Sequence, residues 1–160
     1  MFAKIAAGTI FLAALAFASP SLARGEFTSG NWEGSAFFDG RTFSHCAMLA
    51  SYKTGWDVMF SIDADYVVNL GFQHDDLTLK KGDEADFVMQ VDNSPKITRT
   101  FTALSRTMFA TEFTDRKGWF QALQRGLYLK LDVGDHVESF SLAGTNAALD
   151  RLLKCVDTYG

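Results

Sequence analysis

The sequence predicts a mainly β domain: an antiparallel β-sandwich or barrel-like fold with a short helix near 115–125 and a C-terminal helix near 145–157. Three observations predict it. Apolar and polar residues alternate over short runs through most of the chain, which is the period of strands with one buried face. Turn signals built from Gly, Asp and Asn separate those runs at short intervals, as in sandwiches and barrels. A clean helical spacing of apolar residues occurs near the C-terminus.

In chain order, Arg24 to Gly30 is polar and glycine-flanked and reads as a flexible N-terminal tail. Trp32, Gly34, Ala36 and Phe38 then face one way, with Glu33, Ser35 and Phe37 opposite, and Asp39-Gly40 turns the chain. Phe43 to Tyr52 is a second strand, ended by Lys53-Thr54-Gly55. Trp56, Val58, Phe60 and Ile62 alternate with Asp57, Met59, Ser61 and Asp63. Asp63-Ala64-Asp65 turns, and Tyr66 to Phe72 resumes the strand pattern.

Leu77 and Leu79 precede the turn Lys80-Lys81-Gly82-Asp83. Ala85 to Val91 is a strand, and Asp92-Asn93-Ser94-Pro95 is a strong turn. From Ile97 to Ala103, Thr98, Thr100 and Thr102 lie opposite Ile97, Arg99 and Phe101. Met108 to Phe113 is shorter. Leu127, Leu129 and Leu131 alternate with Tyr128 and Lys130, Gly134-Asp135 turns, and Val137 to Leu142 is the last strand, for about nine strands.

Asp115 to Arg125 breaks the pattern and reads as a short helix, capped by Asp115 and ended by a left-handed Gly126. In the C-terminal helix Thr145 is the expected N-cap. Leu149, Leu152, Leu153 and Val156 form the apolar stripe, and Asp150 and Lys154 an i,i+4 pair.

The first residues carry a different signal. Lys4 supplies a positive charge, Ile5 to Ala18 is apolar, and Ser21-Leu22-Ala23 offers small residues for cleavage. Met1–Ala23 therefore reads as a signal peptide. Its apolar run is shorter than the ~20 residues a spanning helix needs. No cysteine follows the cut to take a lipid. The expected domains are 1–23 signal peptide, 24–30 tail, and 31–160 a single disulfide-stapled β domain, located in the periplasm or secreted.

The 137 residues after the cut carry a net charge of −5, since the leader holds Lys4 and no acid. That balance gives no general attraction for nucleic acid or anionic membranes. No second run approaches bilayer length, so no stable membrane insertion is expected after cleavage. The 15 Phe, 3 Trp and 4 Tyr supply ample core material. The only two cysteines are Cys46 and Cys155. In an exported chain they form one disulfide, closing a loop of about 110 residues. His45 adjoins Cys46, but strand neighbours point to opposite faces and there is no Cys-x-x-Cys, so a redox or nucleophilic Cys46 is rejected.

His45, His74 and His136 lack metal-ligand spacing. Asp63/Asp65, Asp75/Asp76 and Asp83/Glu84/Asp86 fit no EF-hand and read as solvated turns. No Gly-x-Ser-x-Gly, phosphate loop or dinucleotide fingerprint occurs, and nothing singles out two carboxylates for glycosidase work. Lys117, Trp119, Gln121 and Arg125 offer a sugar- or peptide-contacting edge, against which stands simple core packing of Trp119. The expectation is no catalytic residue, no metal and no cofactor.

The stretch Phe140-Ser141-Leu142-Ala143-Gly144-Thr145-Asn146-Ala147-Ala148-Leu149-Asp150-Arg151-Leu152 resembles the C-terminal signature of the invasion-associated locus B family. Cys46-Ala47-Met48 is similar to that family's early Cys-x-Met segment, and the approach through Gly126-Leu127 to a strand also fits. The further cysteines common in the family are absent here. The resemblance implies a small exported protein of Gram-negative bacteria, non-enzymatic, linked in some members to host-cell invasion. It transfers no catalytic residue. Two functions follow as expectations: a non-enzymatic binding or envelope-associated protein with an unknown protein or envelope partner, or an inhibitor of a secreted enzyme such as lysozyme.

Overall fold

The computed structural model describes residues 22–113, 116–134 and 137–160. The leader apart from Leu22 and Ala23, the capping residue Asp115, Asp135 of the turn, and His136 lie outside the described residues. Ten strands are present: β1 Leu22–Ser29, β2 Trp32–Asp39, β3 Thr42–Ser51, β4 Trp56–Asp63, β5 Val68–His74, β6 Glu84–Val91, β7 Ile97–Ala103, β8 Met108–Phe113, β9 Tyr128–Asp132 and β10 Val137–Ser141. A π-helical turn, Arg116–Phe120, runs into α1, Gln121–Arg125, and α2 spans Thr145–Tyr159.

All pairings are antiparallel in one sheet of order β1-β2-β3-β4-β5-β8-β7-β6-β9-β10. The end strands β1 and β10 do not pair, so the sheet does not close into a barrel. The mainly β, sandwich-like architecture expected from the sequence is built from a single sheet. That sheet has two halves that face each other. β8 pairs with β5 through all six of its residues, yet meets β7 at only Thr102↔Ala110 and Ala103↔Phe109. That short seam is the hinge.

Between the halves lies a phenylalanine cluster. Phe72 of β5 lies 5.9 Å from Phe101, 5.7 Å from Phe109 and 5.4 Å from Phe140, ring centre to ring centre. Phe140 also meets Trp56 and Tyr52 of the opposite half. These distances suit edge-to-face and offset contacts, which add to the burial of large apolar surface. The Tyr52 hydroxyl donates to the Ser141 carbonyl at 2.7 Å, a second tie between the halves.

The other part of the inner face is covered by α2, which packs on β1 to β4. Its stripe of Ala148, Leu149, Leu152 and Val156 is buried against Trp32, Ala36, Met48 and Phe60, themselves almost fully buried. The alternation Trp56, Val58, Phe60, Ile62 faces this core as its period requires. Cys46 of β3 is bonded to Cys155 of α2, with the Cα atoms 6.2 Å apart.

Several local expectations are corrected. Residues 24–29 are not a tail: they belong to β1, which pairs with β2 from Leu22↔Phe38 to Ser29↔Trp32, with a bulge between Arg24 and Phe27. Phe27 holds the strand down by lying over Gly34, where any Cβ would sit 2.3 Å from its ring. Gly126 is extended (φ −73°, ψ 159°), not left-handed, and its N–H closes α1 onto the Ala122 carbonyl. The helix α2 is entered through Gly144 at φ 81°, a conformation side chains resist. Thr145 is therefore the first helical residue and does not cap. Its fully buried hydroxyl accepts instead from the Trp32 indole N–H at 3.0 Å. Asp150 accepts a hydrogen bond from Gln124 of α1.

Candidate functional site

Among the described residues β7 and β8 pair only at the hinge, and beyond it they form a fork bridged by side chains. In β7 the N–H and C=O of Ala103 are paired toward the β6 side, with Gly82 and Asp83. The even residues therefore point their backbone groups toward β8, and Leu104 confirms the parity by donating to the Met108 carbonyl. At the next step out from the hinge, β8 supplies a side chain: the Thr111 hydroxyl donates to the Thr100 carbonyl at 2.8 Å. One step further, the Arg99 guanidinium lies over the Phe113 ring, 5.2 Å from its centre. Trp119 stacks on Phe113 at 6.1 Å with near-parallel planes. The fork is thus floored by a threonine bridge and a stacked cation.

Above that floor runs a trough of about 970 Å³. One wall carries Thr98, Thr100 and Thr102 with Glu84; the other carries Ala110 and Glu112. Its outer reach crosses β5, β4 and β3 through Asn69, Gly71, Ser61, Met59, Ala47 and His45. Register explains this breadth. Thr102, Ala110, Gly71 and Met59 are successive partners across four strands, and Glu112, Asn69, Ser61 and Ala47 form the next row. Small residues keep the rows low. The flexible methyls of Met108 and Met59 reach over Gly71, 3.0 and 3.7 Å from where a Cβ would stand. Hydroxyls, one amide, two carboxylates and two thioethers make a surface suited to recognition.

His45 lies at one end, stacked on Phe37 with ring centres 5.0 Å apart, its Nδ1 3.0 Å from the Ser44 hydroxyl. Burial holds its imidazole below the ordinary value, against a weaker upward pull from Asp63. Tyr52, outside the trough, is pushed up to about 12 by burial.

The other expected sites fall elsewhere. His74 stacks on Trp56, its Nε2 3.2 Å from the Thr54 carbonyl and its Nδ1 accepting the Asp76 N–H at 3.2 Å. Since Nδ1 accepts, Nε2 carries the proton, so this ring pins a loop. Asp63 accepts the N–H groups of Asp65 and Val67, the turn role expected of it. Among the described residues no group of three or more His, Cys, Asp or Glu is placed to hold a metal ion. Ser35 is buried within β2. Of the proposed edge near residue 120, Trp119 packs half-buried on Phe113, while Gln121 and Arg125 are exposed. Sequence reasoning missed the trough; the one signal was the Thr98, Thr100, Thr102 alternation.

The fold and trough define a class: a disulfide-bonded single-sheet β domain capped by a C-terminal helix, with a polar groove on its outer face. Among solved structures, the crystal structure of invasion associated protein B from Bartonella henselae is similar. It has a TM-score of 0.62 and 18% identity, over 86% of this chain and 100% of that one. The likeness is one of fold, and it falls on the same family that the C-terminal motif resembles. No protein-family model and no curated protein matches the chain.

Proposed function

We propose that this is a non-enzymatic binding or envelope-associated protein of the periplasm or the extracellular medium, with the trough above the β7–β8 fork as its binding face. One observation carries the reading: the trough gathers Thr98, Thr100, Thr102, Asn69, Glu84 and Glu112 into one groove built on six strands. A rigid sheet holding adaptable polar and thioether side chains is the build of a recognition surface. The Cys46–Cys155 bond supports an oxidising compartment. The resemblance to an invasion-associated protein favours a role at the envelope or toward a host. Among the described residues no helix is long and apolar enough to cross a membrane.

The test is capture from native periplasm and culture medium with the oxidised chain, run beside Ala110→Trp, which fills the trough from a half-buried position on its wall. A specific partner retained by the wild type and lost by the variant supports the reading. Equal capture by both, or turnover of a peptidoglycan or glycan substrate, overturns it. The inhibitor reading rests on the same two carboxylates, Glu84 and Glu112, which suit a basic target. Unchanged lysozyme activity at micromolar excess removes it.

A further inference from the structure

The outer face of β6, β9 and β10 carries a second groove, of about 440 Å³, which shares no lining residue with the trough. Register builds it from two rows. Gln90, Lys130 and Ser139 are successive partners across the three strands, and carrying the β6–β7 register one step past Met89↔Ile97 sets Lys96 beside Gln90. The next row is Val88, Asp132 and Val137. Two lysines thus flank Gln90, their Cα atoms roughly 10 Å apart at two strand spacings. Gln90 is drawn aside, its Nε2 donating to the Ser94 carbonyl at 2.8 Å. Lys130 is half-buried and Lys96 exposed. Among the described residues neither ammonium group has a carboxylate within salt-bridge distance, the one such contact being that of His74 with Asp76. In a chain of net charge −4, a groove with two unpaired lysines is a local reversal of charge.

We propose that this groove binds a phosphorylated polyol of sugar size, with its phosphoryl group between Lys96 and Lys130 and its hydroxyls on Asp132 and Ser139. Charge decides one end. A lysine ammonium is a compact point charge with three donors and binds phosphate well, whereas planar, bidentate capture of a carboxylate calls for arginine. No arginine lines the groove. Asp132 decides the other end. One of its oxygens accepts the Gly134 N–H at 3.1 Å, and the other has no partner among the described residues. A carboxylate only accepts, so it takes hydroxyl hydrogens and repels a second anion. Val88 and Val137, in the same row, give the C–H face of the ligand an apolar wall. The volume falls within the range of about 300–1,000 Å³ usual for small-molecule sites.

The experiment titrates the full oxidised chain, isotopically labelled, and reads its signals by nuclear magnetic resonance. The probes are glucose 1-phosphate and myo-inositol 1-phosphate, each beside its unphosphorylated parent and inorganic phosphate. The expected result is that at least one phosphorylated polyol shifts Lys96, Lys130 and Ser139. The parents and inorganic phosphate bind at least tenfold more weakly, and added salt weakens the binding. Lys96→Gln and Lys130→Gln each lower the affinity at least tenfold while keeping the wild-type melting temperature. Asp132→Asn retains a carbonyl for the Gly134 N–H. It lowers affinity for the phosphorylated polyol and leaves that for inorganic phosphate unchanged, a split that mere loosening of the turn would not give. Phosphatidylcholine vesicles with and without phosphatidylinositol distinguish the sources. Retention only on the vesicles with phosphatidylinositol, beside binding of the free compound, supports the site with a lipid headgroup as its ligand. Binding of the free compound alone supports it with a soluble one. No shift with either phosphorylated polyol, shifts only outside the groove, or equal binding of inorganic phosphate overturns the proposal and leaves the trough reading untouched.

Discussion

The two halves of the sheet are held in different ways. The half from β1 to β5 with β8 is a meander of neighbours plus one return strand, its inner face covered by α2 and cross-linked by Cys46–Cys155. The half β7-β6-β9-β10 has, among the described residues, no helix of comparable extent across its inner face, and it has no covalent tie. It docks through Phe101, Phe140 and Phe87 against Phe72, Phe109 and Trp56. The first half is a frame and the second a clasp. The trough sits where they join, above the short seam at Thr102↔Ala110 and Ala103↔Phe109.

Four changes break or sharpen that contrast. Removing the cross-link has the largest effect: for a loop of ~100 residues the chain-entropy model gives ~4.7 kcal/mol. Cys155→Ser should lower the melting temperature by many degrees, and adding Cys46→Ser should cost little more. An unchanged melting temperature removes the covalent tie from the account. Phe140→Ala takes out the ring that joins Trp56, Phe72 and Tyr52. Truncating a buried phenylalanine costs ~3–5 kcal/mol. Hydrogen exchange should show β9 and β10 opening before β3 and β4. Uniform loss across both halves would contradict the clasp.

Tyr52→Phe removes one bond between the halves at an expected ~1 kcal/mol. It should also abolish the tyrosine that titrates near 12, read by absorbance of the phenolate. The smallest effect concerns acid. His45 sits below its ordinary value of 6.5 because burial disfavours the imidazolium. The unfolded chain therefore binds the proton more readily, and stability should fall as pH drops below about 6.5. Chemical denaturation at pH 7.5 and 5.5 should show this loss, and His45→Gln should shrink it.

The frame was easier to read in the sequence than the clasp. Trp56, Val58, Phe60 and Ile62 mark a strand because a half-buried strand imposes period two. Leu149, Leu152 and Val156 mark a helix for the corresponding reason. β1 was illegible because an edge strand buries little: its packing on β2 comes from Phe27 over Gly34 and the Arg24 guanidinium over Phe38. Thr145 misled because a threonine before a helix usually caps, whereas here the buried Trp32 indole claims the hydroxyl. The fork could not be read at all. Nothing local to Met108–Phe113 says that it pairs with β5 rather than continuing beside β7, since that choice is made by contacts distant in sequence. Thr98, Thr100 and Thr102 were visible as a face; that the face borders a groove depends on the fork.

The bond between Cys46 and Cys155 also governs how the chain answers force. The residues it joins are 109 apart in sequence, and the loop between them contains β4 to β10 together with most of α2. Pulled from its two ends, the oxidised chain can lengthen only through the residues outside that loop, by peeling β1, β2, the start of β3 and the last turn of α2. The remainder, worth roughly 360–390 Å of extended chain at ~3.3–3.6 Å per residue, stays hidden until a reductant cuts the bond. A single-molecule stretching trace should gain that length only after reduction, so the fork and all of the trough but His45 lie inside the part of the molecule that tension cannot reach.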